Sequence, residues 1–126
     1  MTDQSERPAR VLVVDDNEDA ARTLAFLLAA AGYEARACFG GWEALEEAVR
    51  FNPDACVLDI NMPDIDGYEL ARLLRSGGAQ PVLVTVTAYN DEAHLDRAAR
   101  AGFDLHFHKP ADPKEVAEQL WSRLTA

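Results

Sequence analysis

Three short, almost wholly apolar runs limit this chain more than anything else in it: Val11-Leu12-Val13-Val14, Ala55-Cys56-Val57-Leu58 and Val82-Leu83-Val84-Thr85-Val86. Runs of this length without polar alternation are what strands buried on both faces require. Two further stretches, Tyr33 to Cys38 and Leu105-His106-Phe107-His108, alternate in polarity and suit strands at a sheet edge. Between the strands lie stripes at helical spacing. They are Leu24, Leu27, Leu28 and Ala31; then Trp42, Leu45 and Val49; Leu70, Leu73 and Leu74; Leu95, Ala98 and Ala99; and finally Val116, Leu120 and Leu124.

Helix boundaries carry their own signals. Asn17 suits an N-cap, and Gly32, Gly77-Gly78 and Gly102 suit stops. Asn90-Asp91-Glu92 opens the fourth helix with acids that its dipole favours. Asp112, Pro113 and Glu115 give the fifth a cap, a first-turn proline and the makings of a capping box. Five strands alternating with five helices predict an α/β domain with a parallel sheet covered on both faces. With the alternating strands at the edges and right-handed crossovers, the strand order is 2-1-3-4-5. Residues 1–9 read as a mobile tail and residues 10–126 as the domain.

The balance of 22 acidic against 12 basic residues, a formal net charge of −10, argues against a nucleic-acid surface, which needs clustered Lys and Arg. It suits a divalent cation. Cys38 and Cys56 sit inside strand-like runs and read as small core residues. No apolar run approaches the roughly 20 residues needed to span a bilayer. Met1 to Arg10 lacks the apolar segment of a signal peptide, so no membrane partner and a cytoplasmic location are expected.

In this strand order the first and third strands are neighbours where the winding reverses, which is where open α/β sheets keep their sites. Their carboxyl ends carry Asp15, Asp16 and Asp59. Three converging carboxylates repel one another unless a cation joins them, and oxygen donors with retained water suit Mg²⁺. Thr87 closes the fourth strand and Lys109 the fifth, on the same rim. A hydroxyl and an ammonium there can hold phosphoryl oxygens. Singly, each is as well read as a solvated acid, a β-branched strand residue or a surface lysine. Their arrival at one rim favours function.

In this order and strand context, Val13-Val14-Asp15-Asp16, Val57-Leu58-Asp59, Met62-Pro63-Asp64, Asp66-Gly67, Thr87-Ala88 and Lys109-Pro110 resemble the receiver domains of two-component response regulators. The likeness runs from about Arg10 to Leu124. It implies the flavodoxin-like receiver fold and a phosphoryl-accepting switch, not an enzyme with a separate substrate, although a receiver promotes its own phosphorylation and dephosphorylation. Asp59 would take the phosphoryl group from a phosphohistidine of a histidine kinase or histidine phosphotransfer domain. Asp16, Asp59 and the main-chain carbonyl of Asn61 would bind Mg²⁺, with Asp15 acting mainly through water. Lys109 would pair with Asp59 and then with the phosphoryl group. Thr87 would move to bond it, Ala88 would leave the site open, and a cis peptide bond would precede Pro110. The fourth helix, fifth strand and fifth helix would form the surface read by a downstream protein, and a phosphorylation-dependent dimer is left open.

Departures from the pattern centre on His106, which stands where an aromatic residue commonly turns inward. It resembles the histidine of receivers attached to hybrid sensor kinases. A histidine switch would respond to pH near neutrality, and an activation equilibrium unchanged between about pH 6 and 8 would reject that idea. His106 and His108 share a strand face, but no further ligand nearby completes a zinc site. Tyr89 and Asn61 would influence how fast the phosphate is lost. Trp42 and Trp121 read as packing residues, with Trp121 alternatively an exposed partner anchor.

The chain stops after the fifth helix, so the expectation is a switch without an effector domain: a free-standing regulator, a relay intermediate or a piece of a hybrid kinase. Three other classes fit less well. A phosphatase of the haloacid-dehalogenase kind needs an acid two residues past its nucleophile, where Asn61 stands. A docking-only pseudo-receiver usually lacks one of the residues retained here. In a flavodoxin-like flavin binder, Asp15-Asp16 would repel the phosphate.

Overall fold

The computed structural model describes residues 7–78, 80–88 and 92–126. Backbone groups in the apolar runs bond to one another in one parallel sheet. Its strands are β1 (Arg10–Val14), β2 (Glu34–Cys38), β3 (Ala55–Leu58), β4 (Val82–Thr87) and β5 (Leu105–His108), in the order β2-β1-β3-β4-β5. The expected order and edges are both present. Helices α1 (Glu18–Ala30), α2 (Gly41–Phe51), α3 (Gly67–Ser76), α4 (Glu92–Ala101) and α5 (Pro113–Leu124) make the crossovers. Residues 1–6, Tyr89 and the Asn90-Asp91 helix start lie outside the described residues.

Alternation divides the strand residues between two cores. Val11, Val13, Val57 and Val84 face Ala21, Ala25 and Leu28 of α1 and Val116 and Leu120 of α5. Leu12, Val14, Cys56, Leu58 and Leu83 face Ala44 and Phe51 of α2 and Leu70, Ala71 and Leu74 of α3. Each Val, Leu or Phe side chain among them contributes about 1.5–3 kcal/mol by leaving water. From α4 only Ala98 is buried, in a small cluster with Ile60 and Tyr68. Cys38 and Cys56 are buried free thiols, pushed up to about 12 by burial, so both are inert core residues.

Three helices turn differently from the expected stripes. In α2, Trp42 is 56% exposed and Val49 84% exposed, while Gly41, Ala44 and Phe51 face inward. The small residues let α2 sit close: a Cβ on Gly41 would lie 2.2 Å from Ile65 Cγ1. In α1, Leu27 faces out and Ala21 and Ala25 take the inner face. In α4, Leu95 and Ala99 are exposed. The large residues mislead because alanines form the contact.

The caps follow the sequence more closely. Asn17 Oδ1 accepts from the Ala20 amide at 3.1 Å, and Asp66 Oδ1 from the Glu69 amide at 2.8 Å. Asp112 accepts from the Lys114 amide ahead of Pro113, with no reciprocal bond from Glu115, so this is a single cap and not a box. At the amino ends of the strands, Asp104 ties four elements together. Its Oδ2 accepts from Arg75 of α3 at 2.8 Å and from the Leu83 amide of β4 at 2.9 Å, and its Oδ1 from Arg123 of α5 at 3.1 Å. Among the described residues no helix is long and apolar enough to cross a membrane.

Candidate functional site

Register decides what meets at the carboxyl edge. Val14 pairs with Leu58, so residues 15 and 59 leave the sheet side by side. The Asp59 amide donates to Val14 O at 2.9 Å, and the Asp15 amide to Cys38 O at 3.1 Å. On the far side Thr87 pairs with His108, and the Lys109 amide donates to Thr87 O at 2.8 Å. Four separated pieces of sequence are thus fixed by backbone bonds before any side chain acts.

Asp15, Asp16 and Asp59 each offer a carboxylate oxygen within 4.8 Å of the others. Asp59 and Asp15 are only 7% and 8% exposed, whereas Asp16 opens to solvent. Lys109 Nζ lies 3.3 Å from Asp15 Oδ2 and 3.5 Å from Asp59 Oδ2. Burial pushes the Asp59 carboxyl above its ordinary range and the Asp15 charge adds to the rise, with Lys109 opposing both. For Lys109, burial works against the charge, but Asp59 and Asp15 outweigh it and its pKa is raised. One ammonium faces three carboxylates, so the site retains excess negative charge. An all-oxygen donor set of this kind fits a hard divalent cation.

Among the residues expected at the site, Asp15, Asp16, Asp59 and Lys109 come together as the sequence indicates. Thr87, 2% exposed, closes β4 on the same rim. Asn61 stands two residues after Asp59, and its amide lies 3.5 Å from Asp59 Oδ1. His106 sits further back, level with Thr85 on β5. His108 Nε2 lies 3.0 Å from Ala88 O, and the metal-ligating side chains grouped among the described residues are the three aspartates alone.

The profile of the response regulator receiver domain matches residues 11–120. The chain belongs to this family. As a receiver, it is a phosphoacceptor switch of two-component signalling. It is 35% identical over 119 residues to the response regulator MprA of Mycobacterium sp. (strain KMS), covering 94% of this chain and 50% of that protein. It is 31% identical over 115 residues to the DNA-binding response regulator MtrA of Mycolicibacterium paratuberculosis, covering 91% of this chain and 51% of that protein. The receiver therefore spans about half the length of these curated relatives. Because MtrA is DNA-binding, the expectation of no nucleic-acid partner, drawn from the −10 charge, finds no support. The solved chemotaxis protein CheY4 of Vibrio cholerae superposes with a TM-score of 0.87 at 26% identity, covering 91% of this chain and 98% of that one.

The Lys109-Pro110 bond of this receiver is cis, as the family likeness implied. One contact of the site region had no signal in the sequence. Asp64 stands in a loop-breaking Met62-Pro63-Asp64 stretch, yet its carboxylate accepts from the Gly41 amide at 3.2 Å and the Trp42 amide at 3.0 Å, capping α2. A cap supplied from 22 residues away has no local pattern.

Proposed function

We propose that Asp59 is the phosphoacceptor, taking a phosphoryl group from a phosphohistidine of a histidine kinase or phosphotransfer domain in a Mg²⁺-dependent step that the receiver itself promotes. A carboxylate oxygen of Asp59 attacks phosphorus, the P–N bond to the imidazole breaks as the O–P bond forms, and the imidazole leaves with its electron pair. Asp15, Asp16 and the Asn61 carbonyl, with Asp59, would hold Mg²⁺, which when bound would offset charge on the transferring phosphoryl oxygens. Lys109, shared between Asp15 and Asp59 at rest, would turn to the phosphoryl group. Thr87 would donate its hydroxyl to one of the oxygens. The nearly buried Asp59 carboxylate, set among two acids and one lysine, carries this reading.

The acyl phosphate brings about two negative charges where there was one. Lys109 and Thr87 reorganise around it, and the β4 and β5 ends that carry them move with it. The surface of α4, β5 and α5, with His106 in its middle strand, is the one a downstream protein or a second phosphorylated copy would read, in the cytoplasm. Intact mass measured after incubation with Mg²⁺ and acetyl phosphate tests the reading. Gain of one phosphoryl group, lost in Asp59→Asn and with chelator, is the expected result. No gain from acetyl phosphate or from a histidine kinase leaves the chain a docking module.

A further inference from the structure

The loop that follows Asp59 is fastened at three places. Asp66 caps α3 through the Glu69 amide. Gly67 lies so close beneath the loop that a Cβ there would sit 2.6 Å from Asp59 O and 2.8 Å from Ile60 Cα. Between these points and Asp59, the Asp64 carboxylate reaches across to the first turn of α2, with Oδ1 on the Gly41 amide and Oδ2 on the Trp42 amide. Slight desolvation works against the charge of the exposed Asp64, but the amides of Trp42, Ile65 and Gly41 outweigh it and hold the carboxyl below its usual range. Gly41 is also where α2 touches Ile65, with no room for a side chain. The loop and α2 are therefore one mechanical piece.

The segment held in this way, Ile60 to Pro63, contains Asn61. It is joined to Asp59 at one end and clamped by Asp64 at the other; between them the Gly67 amide donates to Ile60 O at 2.8 Å, the Asn61 amide lies 3.5 Å from Asp59 Oδ1, and the Ile60 and Met62 side chains are buried. We propose that Asp64 is a positioning residue for metal binding: by capping α2 it holds the Asn61 carbonyl at the distance from the Asp15, Asp16 and Asp59 carboxylates at which one Mg²⁺ can join them. The inference rests on the metal reading above. It also gives α2 a part in the switch. A shift of the Asn61 carbonyl toward the ion pulls on the Trp42 backbone, and the exposed Trp42 indole carries that movement to the surface.

Calorimetric titration with Mg²⁺ alone, with the full chain at constant ionic strength, tests it. Asp64→Ala is expected to weaken Mg²⁺ binding by about 10-fold, within the range seen when outer residues that orient metal ligands are removed. Asp64→Asn keeps one acceptor oxygen and falls between Asp64→Ala and wild type. Leu120→Val, which trims the α5 core away from the site, controls for general loss of stability and should bind as wild type does. In a Trp121→Phe background, Mg²⁺ should change Trp42 emission, and Asp64→Ala should reduce that change. Equal affinity in Asp64→Ala and wild type overturns the proposal, and so does an equal loss in Leu120→Val. A wild-type chain that binds no Mg²⁺ overturns the reading of the acidic cluster itself, and this inference with it.

Discussion

The sheet face under α1 and α5 and the corner under α4 are built from different materials. Under α1 and α5, Val11, Val13, Val57, Val84 and Val86 meet Leu28, Val116 and Leu120 in one continuous apolar layer. Toward α4 the same two strands that supply Val84, Val86, Leu105 and Phe107 turn Thr85, Thr87, His106 and His108 the other way. On that side α4 buries Ala98 alone, in a small cluster with Ile60 and Tyr68. One region is held by area removed from water and the other by few contacts. Elements with few buried contacts are the ones that shift at low free-energy cost. The fixed half carries the acid pair, and the lightly packed half carries Thr87 and Lys109, the two groups that the proposed switch would move.

The largest effect should come from attacking the two sides in parallel. Leu28→Ala should cost roughly 2–5 kcal/mol in urea unfolding, while Ala98→Gly costs about 1 kcal/mol. Amides of α4 should exchange with deuterium well before those of α1. Equal losses, or an α4 as protected as α1, would break the contrast.

A smaller effect sharpens it at the site. The Asp59 pKa is raised above its ordinary 3.8 by burial first and Asp15 second. The folded chain thus holds that proton more tightly than the unfolded chain, and ionising Asp59 costs stability. That cost is absent below the ordinary value and complete above the raised one. Asp59→Asn should match wild type near the low end of the acid range and, without metal, exceed it in stability at neutral pH. Thermal melts across that range check the sign, and a variant less stable at neutral pH would refute it.

The smallest effect belongs to Thr85, a fully buried residue whose hydroxyl has no hydrogen-bond partner among the described residues. Thr85→Val should raise stability by roughly 0.5–1 kcal/mol, because a polar atom leaves a site that does not satisfy it. A loss on unfolding would mean that the hydroxyl is satisfied and the α4 corner is better joined than the contrast holds.

Much of the site was legible in the sequence because strands announce their own ends. Two apolar runs stop at acids and the third at Thr87, and the edge character of β2 and β5 orders the strands, so Asp15, Asp16, Asp59, Thr87 and Lys109 could be brought to one rim on topology alone. What escaped has a common cause. The burial of Ala21, Ala25, Gly41 and Ala44 in place of Leu27, Trp42 and Val49 depends on how closely helices approach the sheet, which hydrophobicity does not record. The Asp64 cap and the Asp104 junction join residues far apart in the chain, and each acid looks locally like any other turn or strand-end aspartate. His106 was placed on its strand correctly, but its neighbours came only with the register to Thr85.

The Asp104 junction has a consequence for how a signal spreads. Arg75, Arg123 and the Leu83 amide converge on one carboxylate at the amino ends of the strands, and the Asp104 amide returns a 2.7 Å bond to Leu83 O. β4 and the start of β5 are bound there like pages at a spine. On the role proposed for Lys109, a push delivered there would turn β5 as a page turns, furthest at His108 and least at Leu105, and one event at the rim would become a graded tilt along the strand.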